Sequence, residues 1–177
     1  MFNLKHIGSV VRNNIQAIVD VLDLNLAVGD ISDDDYLILS RGYGELCWDD
    51  SLSRVGNRED KFEFCIKLVE CGHVQGPPSG LALCTYSVDE QIFDIHMIEN
   101  FCRDKPDHPL NGKMFQLTLM AAYLFCEATK GKLVRIIEPV KEVIPYYESY
   151  GFSMLKCGYI MEVNVTDIKT VFKNLAT

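Results

Sequence analysis

The stretch "PYYESYGF", residues 145–152, decides how the rest of the chain is read. Three tyrosines and one acid sit between a proline and Gly-Phe. Proline is tolerated in the first turn of a helix, where its missing N–H has no intrahelical partner. Gly151 is a stop, because a glycine adopts the left-handed conformation that ends helices. The stretch therefore predicts a helix over 141–150 that hands the chain back to a sheet at Phe152. A buried phenol ordinarily finds a structural partner, so the question is whether one of the three does chemistry.

Working outward, "KLVRIIEPV" (132–140) predicts a strand ahead of that helix. Before it, "GKMFQLTLMAAYLFCEATKG" predicts a helix over 113–130 that is apolar nearly all round, so it is buried on several sides. "CRDKPDHPLNGK" (102–113) is a polar loop with two prolines. Three strand-like runs come earlier, at 61–71, 81–88 and 92–101. Between them lie the loop "GHVQGPPSG" and the turn "DEQ", and such short connections favour antiparallel neighbours. The helix between strands 92–101 and 132–140 makes those two parallel, with a right-handed crossover.

Towards the C-terminus, "SMLKCGYIMEVNV" (153–165) holds one or two strands. Residues 166–175 predict an amphipathic helix with Ile168, Val171, Phe172 and Leu175 on one face. Towards the N-terminus, Val11, Ile15, Ile18 and Leu22 predict a helix over 9–26 with Ser9 as its cap. Ser32 caps a second helix reaching about Ser40, with Asp33, Asp34 and Asp35 at its positive end. Residues 42–60 are polar and glycine-containing and give no clear pattern. The order is α-α-β-β-β-α-β-α-β-α. It implies an α/β fold, with a mixed, mostly antiparallel central sheet and helices on both faces, as a single domain over residues 1–177.

A net charge of -8 and the absence of a basic stripe argue against nucleic acid as a partner. They also argue against anionic membranes, and no apolar run is long enough to span a bilayer. The seven cysteines are odd in number and form no C-x-x-C pair. Residues 1–16 lack the apolar region and cleavage site of a signal peptide. Reduced thiols in the cytoplasm are the expectation. Cys71-Gly72-His73 lacks a second ligand pair, so no metal is expected.

Chemistry is expected where strand 92–101 leads into helix 113–130. A helix N-terminus carries unpaired N–H groups that suit phosphate, and Asn111-Gly112-Lys113 stands there. Two parallel strands that splay apart expose backbone to an extended ligand. Strict alternation would place Asp94, His96 and Ile98 on one face of strand 92–101, and Phe93, Ile95, Met97 and Glu99 on the other. The imidazole of His96 titrates in a range suited to proton transfer. Cys102 and His108, at the loop mouth, form a candidate nucleophile pair, although most free cysteines are simply buried.

Over about residues 80–160 the chain resembles the GNAT superfamily of acyl-CoA-dependent N-acyltransferases. "YYESYGF" is similar to the family's Y-x-x-x-G-F helix end, and the element order from strand 81–88 onward agrees. The N-terminal pair of helices agrees as well. The family's pyrophosphate loop resembles Q/R-x-x-G-x-G/A. Here Gly112 and Lys113 stand at its final glycine and the residue after. Leu110 replaces the earlier glycine, Asp107 stands where Arg or Gln is usual, and Val140 where asparagine is common.

The resemblance implies acetyl transfer from acetyl-CoA, as co-substrate and without a metal, to a small-molecule or protein amine by direct attack. It implies Tyr147 as the acid that protonates the CoA sulfur, with Tyr146 and Tyr150 as packing residues. Asp94 matches a strand carboxylate of the family, and Asp94, Glu99 and His96 are the candidate bases. Met97 and Ile98 match the strand end that contacts pantetheine. Leu110, Asn111, Gly112, Lys113 and Met114 match the phosphate site. The altered loop also suits an alternative, a catalytically degenerate GNAT-fold module that binds acyl-CoA or a protein. The C-terminal strand and helix 166–175 either pair with a second copy in a homodimer or cover the sheet.

Overall fold

The β-rich runs between residues 61 and 101 pair in sequence order, and the helical runs settle on both sides of them. The computed structural model describes residues 2–56, 58–73 and 76–175. Its elements begin with α1 (Leu4–Val21), β1 (Leu26–Gly29), α2 (Asp33–Ser40) and α3 (Trp48–Val55). The strands β2 (Phe62–Glu70), β3 (Gly80–Ser87) and β4 (Ile92–Asn100) follow, then α4 (Met114–Thr129) and β5 (Leu133–Ile137). A 3-10 turn at Lys141–Val143 leads into α5 (Ile144–Glu148), and β6 (Ser153–Met154), β7 (Ile160–Asn164) and α6 (Val165–Leu175) complete the order.

One seven-stranded sheet runs β1-β2-β3-β4-β5-β7-β6. Its pairs are antiparallel except β4 with β5, which are parallel as the intervening helix requires. The mixed, mostly antiparallel sheet is as expected from the element order. β7 lies between β5 and β6 and offers no free edge. Residues 74 and 75 of the expected loop, and the side chains of Val171 and Leu175, lie outside the described residues.

Both faces of β3 are covered, so all eight of its residues are buried. On one face α1 and α4 close over the larger cluster. There the Phe125 ring sits 5.2–5.9 Å from those of Phe62, Phe64, Tyr86 and Phe93. α6 leans on α4 through Phe172 and Tyr123, with Ile168 fully buried. On the other face a smaller cluster gathers Leu39, Trp48, Cys65, Leu81 and Leu83.

Four expectations need correction. The helix predicted over 9–26 is two elements. α1 starts at Leu4, with the side chain of Asn3 accepting from the backbone N–H of His6, and it ends at Val21. Asp23 and Asn25 then turn left-handed (φ 53° and 52°), and Leu26 enters a short edge strand. The Gln16 side chain bonds to both Leu26 O and Val28 N and satisfies part of that edge. Residues 42–60 contain α3, whose Trp48, Leu52 and Val55 lie at helical spacing.

Strand 132–140 stops at Ile137, because Glu138 is left-handed (φ 51°) and Pro139 cannot donate to a ladder. Finally, β4 does not alternate throughout. Cys84 pairs with Ile95 and Leu83 with Met97, so His96 is an extra, bulged residue. The bulge reverses the phase of the strand. Phe93, Ile95 and Ile98 join the larger cluster, and Met97 joins the smaller one. Asp94 bonds to Lys61 and Glu99 to Trp48, so these two acids share a face rather than opposing each other.

Candidate active site

The parallel ladder between β4 and β5 ends at the pair Ile95–Ile136. A bulge bends its strand, and here it does so just as β5 terminates. The strands diverge around a cleft of about 560 Å³. Residues 95–100 form one wall and residues 136–140 the other. α3 lines it with Asp50 and Arg54, Cys47 lines it just before that helix, and α5 contributes Tyr147. Met97 and Ile98 keep their β3 partners, while their backbone edge facing β5 is unpaired among the described residues.

The three tyrosines of the opening stretch separate here. Gly151 adopts φ +93° and closes the helix end, with its N–H donating to Glu148 O at 2.9 Å. Tyr146 and Tyr150 hydroxyls lie 3.3 Å apart, and Gln116 Nε2 donates to Tyr150 Oη at 2.8 Å. Tyr147 instead packs at a tilt against Phe115, with ring centroids 4.8 Å apart, and lines the cleft. Among the described residues no hydrogen bond engages its hydroxyl. Burial raises its pKa above the ordinary 10, so the phenol keeps its proton at neutral pH.

The three candidate bases differ in their surroundings. Asp94 is buried and does not line the cleft. Its Oδ2 accepts from Lys61 Nζ at 2.9 Å, and its Oδ1 has no hydrogen-bond partner among the described residues. His96 is half-buried, lines the cleft, and places Nε2 2.8 Å from Thr85 Oγ1. Burial pushes its pKa below 6.5, with Lys61, Arg54 and Arg58 acting in the same direction and Asp94 opposing. The imidazole is therefore neutral at pH 7.

Glu99 lines the cleft but is only 5% exposed. It accepts from Glu45 N at 2.6 Å, Leu46 N at 3.1 Å and Trp48 Nε1 at 2.6 Å. Three donors thus converge on one carboxylate and tie residues 42–48 to the sheet. Gly44 (φ +87°) completes the fit, since a Cβ there would overlap Glu99 and Phe101. Arg103 pairs with Glu45, and Arg54 with Asp50 at 2.8 Å, both on the exposed side.

The expected phosphate residues lie at the start of α4, outside the cleft lining. Leu110 and Met114 are buried, and a Cβ on Gly80 would come within 2.6 Å and 2.7 Å of them. Asn111 is held on both sides, accepting from Asn100 Nδ2 at 2.8 Å and donating to Lys105 O at 2.7 Å. Gly112 is exposed and left-handed (φ +74°), and Lys113 precedes a first turn that has no side-chain cap. Gly112 and Lys113 are thus the open part of this segment.

Cys102 is buried, and His108 Nδ1 accepts from Leu110 N at 3.3 Å. The thiol that lines the cleft is Cys47. Trp48 and Thr85 were missed by sequence reasoning. Trp48 had a signal in its helical spacing with Leu52 and Val55; Thr85 had none.

No protein-family model matches this sequence, and neither does any curated protein. Solved structures do match. The AtaTR complex bound with acetyl-CoA is 15% identical, with a TM-score of 0.58 over 84% of this chain and 98% of that one. The KacTA–DNA complex is 14% identical, with a TM-score of 0.58 over 84% and 99%. A Klebsiella pneumoniae protein, provisionally an acyl-CoA N-acyltransferase, is 13% identical, with a TM-score of 0.53 over 80% and 99%. At these identities the likeness is one of architecture, and the chain has the GNAT fold.

Proposed function

We propose that this protein is an acyl-CoA-dependent N-acetyltransferase that moves an acetyl group from acetyl-CoA to an amine by direct attack. The observation that carries the reading is the splay beyond Ile95, where a neutral imidazole and an unengaged, protonated phenol line one cleft. In this reading the pantetheine arm lies along the unpaired backbone edge at Met97 and Ile98, and the pyrophosphate is taken by Gly112 and Lys113. His96 takes the proton from the acceptor ammonium. The amine nitrogen bonds to the thioester carbonyl carbon, whose oxygen is polarised by backbone N–H groups at the splay. The C–S bond breaks, Tyr147 protonates the sulfur, and the amide nitrogen gives up its second proton to the resulting phenolate, which restores the phenol. Holding both reactants in one slot supplies much of the rate.

In this reading Glu99 shapes the acceptor side through residues 42–48, and Asp94 acts on His96 from within the sheet. The acceptor is a small amine or a protein amine. A single domain in the cytoplasm accords with the free cysteines and with the lack, among the described residues, of a helix long and apolar enough to cross a membrane.

A second reading is a non-catalytic module that binds acyl-CoA or a protein. The burial of Leu110, in place of a loop glycine, favours it. One structural neighbour is a toxin bound to the C-terminus of its antitoxin, which gives a precedent for a protein partner on this fold. Calorimetric titration with acetyl-CoA, followed by thiol release across small amines and peptides, separates the two. Binding with turnover is expected. An absence of binding rejects the enzyme, and binding without turnover across the panel supports the module.

A further inference from the structure

The segment between β4 and α4 folds as a run of turns around His108. The backbone N–H groups of residues 105, 108, 111 and 113 donate to the carbonyls of residues 102, 105, 108 and 110, at 3.0–3.1 Å. Leu110 N–H donates to His108 Nδ1 at 3.3 Å. His108 therefore receives two successive donors, Leu110 through its ring and Asn111 through its carbonyl. Pro109 has no N–H. Over residues 108–113 one N–H is left without an acceptor among the described residues, that of Gly112.

Leu110 stands where the resembled loop carries a glycine. It is fully buried, and a Cβ on Gly80 would come within 2.6 Å of its side chain. A buried N–H needs a partner, and the His108 ring is the partner it has. That ring is itself only 5% exposed. Because Nδ1 accepts, the neutral imidazole carries its proton on Nε2. Nε2 is buried and makes no hydrogen bond among the described residues, and Oε1 of Glu70, at the end of β2, lies 3.4 Å from it.

We infer that His108, backed by Glu70, is a positioning residue for the pyrophosphate of the acyl donor. It fixes residues 108–111 and commits the N–H groups of Leu110 and Asn111, so that Gly112 N–H and Lys113 are what the segment presents to the ligand. The inference rests on the reading of Gly112 and Lys113 as the pyrophosphate site. Neither Cys102 nor His108 lines the cleft, so the imidazole serves this segment rather than a nucleophile.

The test compares, by calorimetry on the full chain, affinity for acetyl-CoA with affinity for S-acetylpantetheine, which has no pyrophosphate. His108→Leu fills the site and accepts no hydrogen bond. His108→Asn supplies a side-chain oxygen that accepts from the N–H two residues on, as in an Asx-turn. His108→Leu should bind acetyl-CoA about 10-fold more weakly, the scale of one hydrogen bond to a charged group, and S-acetylpantetheine within about twofold of the unaltered protein. His108→Asn should hold acetyl-CoA within about threefold. In amide hydrogen exchange of the unaltered protein, Leu110 and Asn111 should be slow with or without acetyl-CoA, and Gly112 should slow only when it binds.

Rapid exchange at Leu110 in the free protein overturns the inference, even if His108→Leu does not fold. An equal loss of affinity for both donors also overturns it, since that marks a role in stability alone, and so does no loss for either. An unaltered protein that binds neither donor rejects the acyl-CoA reading and the inference with it. Acetyl-CoA binding with the expected dependence on residue 108, in a protein that acetylates nothing, supports the inference and rejects the enzyme reading.

Discussion

Tyr147 and Tyr150 are three residues apart and chemically identical, yet their hydroxyls have different surroundings. Tyr150 is bonded to Gln116 and Tyr146, whereas Tyr147 faces the cleft with no hydrogen-bond partner among the described residues. Tyr147→Phe should lower kcat about 100-fold, the scale of one general acid, with acetyl-CoA affinity and melting temperature unchanged. Tyr150→Phe should do the reverse, losing about 1 kcal/mol of stability with its hydrogen bonds and little activity. Denaturant melts beside steady-state kinetics check both. His96 adds a pH dependence. Burial lowers its pKa, so the neutral, accepting form persists below the ordinary 6.5. Turnover should be level above that value and fall as pH drops through the lowered one, and His96→Gln should remove this limb from the pH–rate profile. Tyr147 was singled out by its motif, and it lines the cleft. The commitment of Glu99 was not legible, because its donors come from residues 45, 46 and 48, over fifty positions away.

At the scale of elements, the cleft depends on where strands stop and where a roof is tied down. β5 ends at a left-handed Glu138 and β4 is bent at His96, so the two part after Ile95. α3 is a short helix carried by a loop whose backbone N–H groups converge on Glu99. Glu99→Ala should cost about 3 kcal/mol, because buried donors lose their acceptor. It should also raise the KM of the acceptor more than that of acetyl-CoA, as the roof loosens. Chemical denaturation and two-substrate kinetics measure the two effects. The long apolar helix α4, the parallel pair it connects and the hairpin strands were legible from periodicity and spacing. The α1–β1 boundary was not. Leu22, Leu24 and Leu26 continue an apolar pattern through the turn, and only the left-handed Asp23 and Asn25 separate helix from strand.

For the whole molecule, the sheet is held mainly by the larger cluster, where Phe125 of α4 meets four aromatic rings from three strands. Phe125→Ala should destabilise the protein by about 3–5 kcal/mol, which urea unfolding would show as a lower midpoint. The sequence by itself determined the fold class, the parallel β4–β5 pair, the glycine-stopped α5 and the tyrosine within it. These follow from local periodicity, turn residues and connection length. Tertiary structure alone decided which acids share a face, because one bulged residue reverses the phase of every side chain after it. It also decided that His96 and Glu99 line the cleft while Asp94 does not, and that Glu99 is held there by three donors. Those outcomes depend on what lies opposite each side chain in space, and that partner is set by strand pairing over long separations rather than by neighbours along the chain.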